Sequence, residues 1–243
     1  MIEISICLSD LDKSKITESK NGKKYINLVL TERKEIVERL VEFEDRDLPA
    51  AEQLTEVAET YLRNRHIALD YPYLSKPAPR PGIVIPFTHN NQVVGSCIRF
   101  LDDRTPKYIN DMQHGYVFGT DLQKESWQYA IVVEGVFDAL AVNGLAVLHA
   151  EINDAQVRLI RSLGSEVVVV PDQDEAGMKL VDRAIELGWS VSIPEWPEGV
   201  KDVNDAVIQM GKLGTLITIL AAKESSKIKI EIRKKQLAQR LRH

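Results

Sequence analysis

Two short apolar runs dominate the hydrophobic pattern of this chain, and each one stops abruptly at acidic residues. The run 130–133 is followed by Glu134, and the run 167–170 is followed by Asp172 and Asp174. Apolar, β-branched runs of this length, bounded by turn residues, are typical of buried strands in a parallel sheet. Ligands bind beyond the carboxyl ends of such strands. We therefore expect both acidic clusters to lie at one edge of a sheet.

Strand and helix patterns alternate around these two runs. Strands are predicted at 128–133, 145–149, 166–170 and 190–193, and helices at 136–143, 154–163 and 176–187. Asn153 and Gln156 form the sequence pattern of a capping box at the start of one of these helices. The alternation predicts an α/β domain that is built on a parallel sheet with flanking helices.

The residues before this region predict a smaller α+β part. Residues 2–8 alternate apolar and polar side chains, and residues 25–30 form a second β-rich run, so an N-terminal β-hairpin is expected. The asparagine pair at 90–91 separates two more β-rich runs and predicts a second hairpin. The remaining predicted elements are helices, at 31–44, 51–65 and 213–222, followed by a basic tail at 223–243.

Composition limits the classes of protein to consider. The chain has 243 residues, 44% of them apolar, and a formal net charge of −5, so a surface that binds nucleic acid has to be local. Cys7 and Cys97 are its two cysteines, and without a CxxC pair we expect no structural zinc site. No apolar run approaches the length of a membrane span, and the N-terminus does not resemble a signal peptide. A cytoplasmic location is the expectation.

The spacing of the carboxylates suggests a metal site. Asp138 follows Glu134 by four residues, about one helical turn. Asp172 and Asp174 are two residues apart, and alternate side chains of extended backbone point the same way. Four converging carboxylates repel one another unless a cation compensates them, and Mg²⁺ or Mn²⁺ prefers such oxygen ligands. The alternative is that one cluster caps a helix and the other forms a turn.

These acidic residues carry a resemblance to a known family. Glu134-Gly135-Val136-Phe137-Asp138 with Asp172-Gln173-Asp174 resembles the toprim signature of bacterial and phage DNA primases, topoisomerases and some nucleases, over about residues 126–212. Asp202 matches the first aspartate of a third acidic motif of primases, so the resemblance implies one more metal ligand there. Asp202 is also a candidate helix N-cap.

A basic motif favours the primases among these families. The segment from Arg99 to Asn110, which contains Thr105-Pro106-Lys107-Tyr108-Ile109-Asn110, resembles the primase motif in which an arginine is followed by TPKYLNS. Arg99 and Lys107 are cations that suit triphosphate or template phosphates, and Tyr108 suits stacking on a base or sugar. His114 stands where the family has a lysine. The segment 61–67 also resembles the YL..RGI segment of primases.

The resemblance implies a primase-type DNA-directed RNA polymerase that makes short RNA primers by two-metal nucleotidyl transfer. It implies Glu134, Asp172 and Asp174 as catalytic residues, and a Mg²⁺ or Mn²⁺ site that also includes Asp138 and Asp202. Nucleotide and DNA contacts would come from Arg99, Lys107, Tyr108, Asn110 and His114. The implied partners are a single-stranded DNA template, ribonucleoside triphosphates, a replicative helicase and a separate zinc-binding primase module, with no membrane.

Two other functions remain open at this point. A toprim nuclease would use the same metal site, with Glu134 as general acid or base, but would leave the basic motif unexplained. A non-catalytic primase-like module would bind DNA or a partner protein. The predicted domains are an N-terminal hairpin region, an α+β subdomain with the basic motif, the toprim domain, and a helical basic segment, at 1–34, 35–125, 126–212 and 213–243.

Overall fold

The computed structural model describes residues 42–149 and 151–240, and before them the backbone of two short strands. The chain divides into two compact units, Met1–Glu38 and Arg39–His243. In the first unit, β1 (Ile16–Glu18) pairs antiparallel with β2 (Lys24–Ile26). The strand predicted at 2–8 lies outside the described residues.

The helix predicted at 31–44 lies outside the described residues up to residue 41, and its last three residues are not helical. There the prediction was wrong, because the backbone of this segment bonds across to other parts of the chain. Glu44 donates its N–H to the Gln113 side chain (2.9 Å), and Arg46 donates its N–H to the carbonyl of Val93 (2.9 Å). These bonds favour an extended conformation.

A four-stranded antiparallel sheet forms the first layer of the second unit. Its strands, in the order in which they pair, are β3 (Leu74–Lys76), β4 (Gly82–His89), β5 (Gln92–Phe100) and β6 (Tyr108–Asp111). The predicted hairpin is confirmed, and its turn residues Asn90 and Asn91 have φ values of 52° and 63°. Helix α1 (Glu56–Asn64) is shorter than the predicted 51–65, because Thr55 caps its N-terminus with a bond from the Ala58 N–H.

A five-stranded, mostly parallel sheet forms the second layer. Its strands are β7 (Tyr129–Val133), β8 (Leu145–Ala146), β9 (Glu166–Val169), β10 (Ser190–Ser192) and β11 (Lys223–Glu224). They lie in the order β11-β10-β9-β7-β8, and only the edge strand β11 runs antiparallel to its neighbour. Its helices are α2 (Val136–Val142), α3 (Asp154–Arg161), α4 (Gly177–Leu187), α5 (Val203–Ala221) and α6 (Lys227–Arg240). The predicted α/β fold class is confirmed.

The apolar strands are continuous because both faces of this sheet are covered. Ile131 and Val133 pack with α2 and α5, in a core that also contains α1 and the inner face of the antiparallel sheet. Ala130 and Val132 face the opposite way and pack with α3, α4 and α6. A strand that is buried on both faces has no polar side to alternate with, which explains why these runs stand out in the sequence.

The capping box predicted at the start of α3 is present. Asn153 accepts the Gln156 N–H (2.9 Å), and Gln156 accepts the Asn153 N–H (3.2 Å). The fully buried amide of Gln156 also donates to the carbonyls of Tyr116 (2.8 Å) and Val147 (2.9 Å). One side chain therefore fixes α3 to two other segments.

Helix α6 of the C-terminal basic segment packs within the second unit. Ile230 and Leu237 of α6 are buried in the same core as α4, and Lys234 forms an ion pair with Asp182 of α4. The domain boundary predicted between residues 212 and 213 falls inside α5, just after Gly211, where the helix bends (φ 74°, ψ 159°). None of the helices in residues 42–149 and 151–240 is both long and apolar enough to cross a membrane.

A backbone bridge ties the segment between β6 and β7 to strand β8. The Phe118 N–H donates to the carbonyl of Ala146 (2.9 Å), and the Phe118 carbonyl accepts the Ala146 N–H (3.1 Å). Ala146 is the last residue of β8. This bridge belongs to the core that the antiparallel sheet and the parallel sheet share. The carboxyl ends of β7 and β9 consequently lie next to strand β6.

Candidate active site

A cleft of about 340 Å³ opens between the two sheets, at the carboxyl ends of β7 and β9. Strand β6 contributes Tyr108 and Asn110 to its wall, and the residue after α1 contributes Arg65. The other wall is acidic and contains Glu134, Asp138, Asp172 and Asp202. The cleft therefore combines residues from both predicted motifs, the acidic one and the basic one.

Glu134 and Asp172 meet where β7 and β9 end. The carboxylate of Glu134 accepts the backbone N–H of Asp172 (3.3 Å). Gly177, the first residue of α4, permits this approach, since a Cβ there would lie 2.1 Å from the Asp172 carbonyl and 3.0 Å from Glu134 Oε1. Burial, with a contribution from Asp174, raises the pKa of Glu134.

Asp138 is the most deeply buried carboxylate of the cleft, with 8% of its surface exposed. It lies in the first turn of α2 and accepts the backbone N–H of Asn204 (2.8 Å). Gly135 leaves room for it, because a Cβ there would lie 2.7 Å from Asp138 Oδ2. Burial, together with the charges of Asp202 and Asp172, raises the pKa of Asp138 well above its ordinary value.

Asp172 and Asp202 complete the acidic wall. Burial and the neighbouring Glu134 and Asp202 raise the pKa of Asp172 to about 7. Asp202 caps α5 by accepting the Asp205 N–H (2.7 Å), and burial raises its pKa as well, against the lowering effect of nearby Arg65. All four carboxylates thus have pKa values raised by burial and, in part, by their own proximity, which is the electrostatic state that a bound cation relieves.

The donor chemistry of the cleft fits a hard divalent cation, although residues 42–149 and 151–240 hold no preformed group of three or more metal-ligating side chains. The candidate ligands are all carboxylate oxygens, which suits Mg²⁺ or Mn²⁺ with water in the remaining positions. Cys97 also lines the cleft, and burial raises its pKa to about 12. Its soft sulfur suits a hard cation such as Mg²⁺ less well than carboxylate oxygens do.

Asp174 has a different place from the other predicted carboxylates. Its Oδ1 accepts the N–H of Gly177 (2.9 Å) at the start of α4, and it is not part of the cleft wall. It contributes negative charge beside Glu134 and Asp172. The structure thus gives Asp174 a capping position and an electrostatic influence on the cleft.

The predicted cations of the basic motif, Arg99 and Lys107, do not line the cleft. Arg99 donates to the hydroxyl of Tyr61 (3.0 Å), and its guanidinium lies 4.6 Å from the ring centre of Tyr108. Lys107 contacts Asp103 (3.3 Å) outside the cleft. His114 is exposed and is not part of the cleft wall. Of the predicted phosphate-binding set, Tyr108 and Asn110 line the cleft itself.

Arg80 holds the loop that carries Lys107. Its guanidinium contacts both carboxylate oxygens of Asp102 at 3.0–3.2 Å and donates to the carbonyls of Arg104 and Pro106, each at 2.7 Å. It also lies 3.7 Å from the ring centre of Phe100. The Arg80 ion pair, with help from Arg104, lowers the pKa of Asp102 to about 2. This loop is therefore held in a defined shape just before Tyr108.

Arg65 is a cleft residue that the predicted site omitted. Its guanidinium lies 5.3 Å from the ring centre of Tyr61 and 5.5 Å from that of Phe137, and it donates to Asn204 (2.8 Å). The segment 61–67 was recognised as primase-like, so the signal for Arg65 was present. That signal is weak, because the interaction of a cation with the helix dipole equally explains an arginine at the end of a helix.

Comparison with known proteins agrees with this geometry. The profile of a family described as Toprim-like matches residues 131–207, about a third of the chain. The DNA primase of Clostridium acetobutylicum is 28% identical over 152 residues, which cover 55% of this chain and 25% of that protein. The DNA primase of Aquifex aeolicus is 30% identical over 133 residues, 47% of this chain and 26% of the relative. This chain contains a toprim-like domain. Its predicted resemblance to toprim-type DNA primases is confirmed.

Solved structures share the fold over about 70% of this chain. A DnaG catalytic core matches with a TM-score of 0.58 and 19% identity, over 70% of this chain and 74% of the other. A DNA primase domain from Pseudomonas aeruginosa matches with a TM-score of 0.50 and 21% identity, over 72% and 64%. At these identities the likeness establishes the fold. The chain spans about a quarter of the length of the two primase relatives described above.

Proposed function

We propose that this chain is the catalytic part of a primase-type polymerase, which joins ribonucleotides on a single-stranded DNA template. The observation that carries the proposal is the composition of one cleft. Four carboxylates of the toprim-like domain face Tyr108 and Asn110 of the basic motif across it. A metal site beside groups that suit phosphates and bases is the arrangement that template-directed nucleotidyl transfer requires.

The acidic wall is the proposed metal site. Glu134, Asp138, Asp172, Asp174 and Asp202 would hold one or two Mg²⁺ or Mn²⁺ ions. Asp174, through its bond from the Gly177 N–H, would also keep the start of α4 in place beside them. Such ions activate a hydroxyl nucleophile and stabilise a pyrophosphate leaving group. The raised pKa values mean that the carboxylates bind protons when no cation is present, so cation binding is expected to release protons.

Three cations in or near the cleft, Arg65, Arg99 and Lys107, are the proposed phosphate contacts. Arg65 and Arg99 present planar guanidinium groups that suit bidentate contacts with phosphate oxygens. Lys107 pairs with exposed Asp103 over 3.3 Å, a contact that incoming phosphate can replace because exposed ion pairs contribute little. Tyr108, 40% exposed beside Arg99, is placed to stack on a base or sugar. Asn110 and exposed His114 would add polar contacts.

The proposed partners follow from this activity. They are a single-stranded DNA template and ribonucleoside triphosphates. A replicative helicase and a separate zinc-binding primase module are the further proposed partners, as the resemblance to primases implies. A crystallised fragment of this fold comes from the bacteriophage T7 primase-helicase protein, with a TM-score of 0.50.

The test is template-directed synthesis with labelled ribonucleotides and Mg²⁺ or Mn²⁺. Because initiation can require other modules, the template carries an annealed RNA primer, so that extension alone is measured. Asp172→Asn is expected to reduce extension by about a thousandfold or more, as for loss of a metal ligand from a site that supplies most of the transition-state stabilisation. Asp45→Asn, at the protein surface, is the matched control.

A parallel incubation with single-stranded and duplex DNA measures cleavage. Lys107→Ala is expected to reduce extension while leaving any cleavage unchanged, because its proposed contact is with the nucleotide or template phosphates. Cleavage that depends on Asp172, without primer extension, would indicate a toprim nuclease and contradict the proposed polymerase. DNA binding without either activity would indicate a non-catalytic module.

A further inference from the structure

Asn204 connects the two walls of the cleft. It is 1% exposed and lies in the first turn of α5. Its backbone N–H donates to Asp138 Oδ1 (2.8 Å). Its side chain accepts from Arg65 Nη1 (2.8 Å) through Oδ1 and donates to the Arg65 carbonyl (2.8 Å) through Nδ2. One buried residue thus bonds both to a proposed metal ligand and to a proposed phosphate ligand.

The two side-chain bonds hold both ends of Arg65. One fixes the backbone of Arg65 just after α1 ends, and the other fixes its guanidinium. The guanidinium also lies beside the contacting rings of Tyr61 and Phe137, at 5.3 and 5.5 Å from their centres. A long side chain held in this way loses little further conformational freedom when it binds a ligand.

We propose that Asn204 is a positioning residue that holds the Arg65 guanidinium towards the cleft, ready to bind a phosphate anion. The inference rests on the proposed function, because it assigns Arg65 to the phosphates of a template or a nucleotide. Asn204 itself does not line the cleft. Any effect of Asn204 on ligand binding therefore has to pass through Arg65 or through the acidic wall.

The amide is required here, and a carboxylate does not replace it. An aspartate keeps an acceptor for Arg65 Nη1 but loses the Nδ2 donor, so one carboxylate oxygen faces the Arg65 carbonyl, which is also an acceptor. It also adds a negative charge beside Asp138 and Asp202, whose pKa values are already raised. Asn204→Asp is therefore an almost isosteric change that breaks half of the contact with Arg65.

The experiment measures binding without metal and without catalysis. Fluorescence anisotropy in EDTA follows a labelled single-stranded oligonucleotide in one arm and a labelled ribonucleoside triphosphate in the other. The arm that responds to Arg65→Ala identifies the source of the phosphate. Asn204→Ala and Asn204→Asp are each expected to weaken binding in that same arm by roughly fivefold to tenfold, the size of one lost hydrogen bond.

A double-mutant cycle separates positioning from general damage. In the Arg65→Ala background, Asn204→Ala is expected to have less than about a twofold further effect, because the group it positions is absent. Asn64→Asp is the matched control, since Asn64 is exposed, precedes Arg65 and receives the same charge change. Circular dichroism checks that each variant is folded. If Asn204→Ala does not fold, the nearly isosteric Asn204→Asp takes its place in the cycle.

Several results would overturn the assignment. Unchanged binding in both arms for Asn204→Asp would contradict it, as would an Asn204 effect of full size in the Arg65→Ala background. Binding in both arms that is insensitive to Arg65 would also contradict it. If the unmodified chain does not extend primers, the proposed function is contradicted. The binding result is unaffected, because the anisotropy assay contains no metal and requires no turnover.

Discussion

The positions of some carboxylates in and beside the acidic wall could be predicted from the sequence, and those of others could not. Glu134 and Asp172 follow apolar runs, so the carboxyl ends of two parallel strands fix their positions. Asp138 follows Glu134 by one helical turn and also reaches the cleft. The position of Asp174 could not be predicted, since spacing cannot distinguish a side chain that points into a cleft from one that caps the next helix.

The titration of Asp172 leads to a prediction about stability. Its pKa is about 7 in the folded protein against 3.8 ordinarily, because of burial and neighbouring carboxylates. A raised carboxylate pKa gives stability that is fully present below the ordinary pKa and is lost as the pH rises through the folded value. The metal-free protein should therefore be less stable at pH 8 than at pH 5.5.

Asp172→Asn should remove most of this pH dependence. In EDTA at pH 8, the variant should have a free energy of unfolding about 2–4 kcal/mol higher than that of the unmodified chain, with a smaller gain at pH 5.5. Urea unfolding at the two pH values measures the difference, and the surface change Asp45→Asn is the control. An equal or lower stability of Asp172→Asn at pH 8 would contradict the electrostatic account of the cleft.

At the scale of elements, the strands and caps with strong local patterns were predicted and the longer-range adjustments were not. The capping box of α3 follows from Asn153 and Gln156, which are three residues apart. The candidate N-cap Asp202 is confirmed at the start of α5, but residues 203–212 were not predicted as helix, because Gly211 and Gly214 suggest a break and the helix continues past a bend at Gly211. The bonds of the Gln156 amide to two distant carbonyls have no signal in the local sequence.

Gln156 should therefore contribute more to the free energy of unfolding than a helix cap alone does. Gln156→Ala removes half of the capping box and leaves the buried carbonyls of Tyr116 and Val147 without this donor. We expect the free energy of unfolding to fall by about 2–4 kcal/mol in urea unfolding. Gln239→Ala, on the exposed side of α6, is the control. A loss below about 0.5 kcal/mol would show that the amide contributes little beyond the cap.

At the scale of the whole molecule, the cleft depends on how the two sheets of the second unit meet. The Phe118–Ala146 bridge and the shared core bring β6 beside the ends of β7 and β9. Neither sheet alone contains both the carboxylates and Tyr108. The sequence indicated each sheet through its periodicity, but a contact between short irregular segments has no periodic signal. Arg65 and Asn204 were missed as a pair for the same reason, since 139 residues separate them.

The most direct test of the central claim is the location of a divalent cation in crystals soaked in Mn²⁺. The account predicts an anomalous difference peak in the cleft, within coordination distance of carboxylate oxygens of Glu134, Asp172 and at least one of Asp138 and Asp202. The peak should be lost in Asp172→Asn and retained in Asp45→Asn. If the protein extends primers in solution but its crystals at saturating Mn²⁺ show no peak between these carboxylates, the proposed metal site is contradicted.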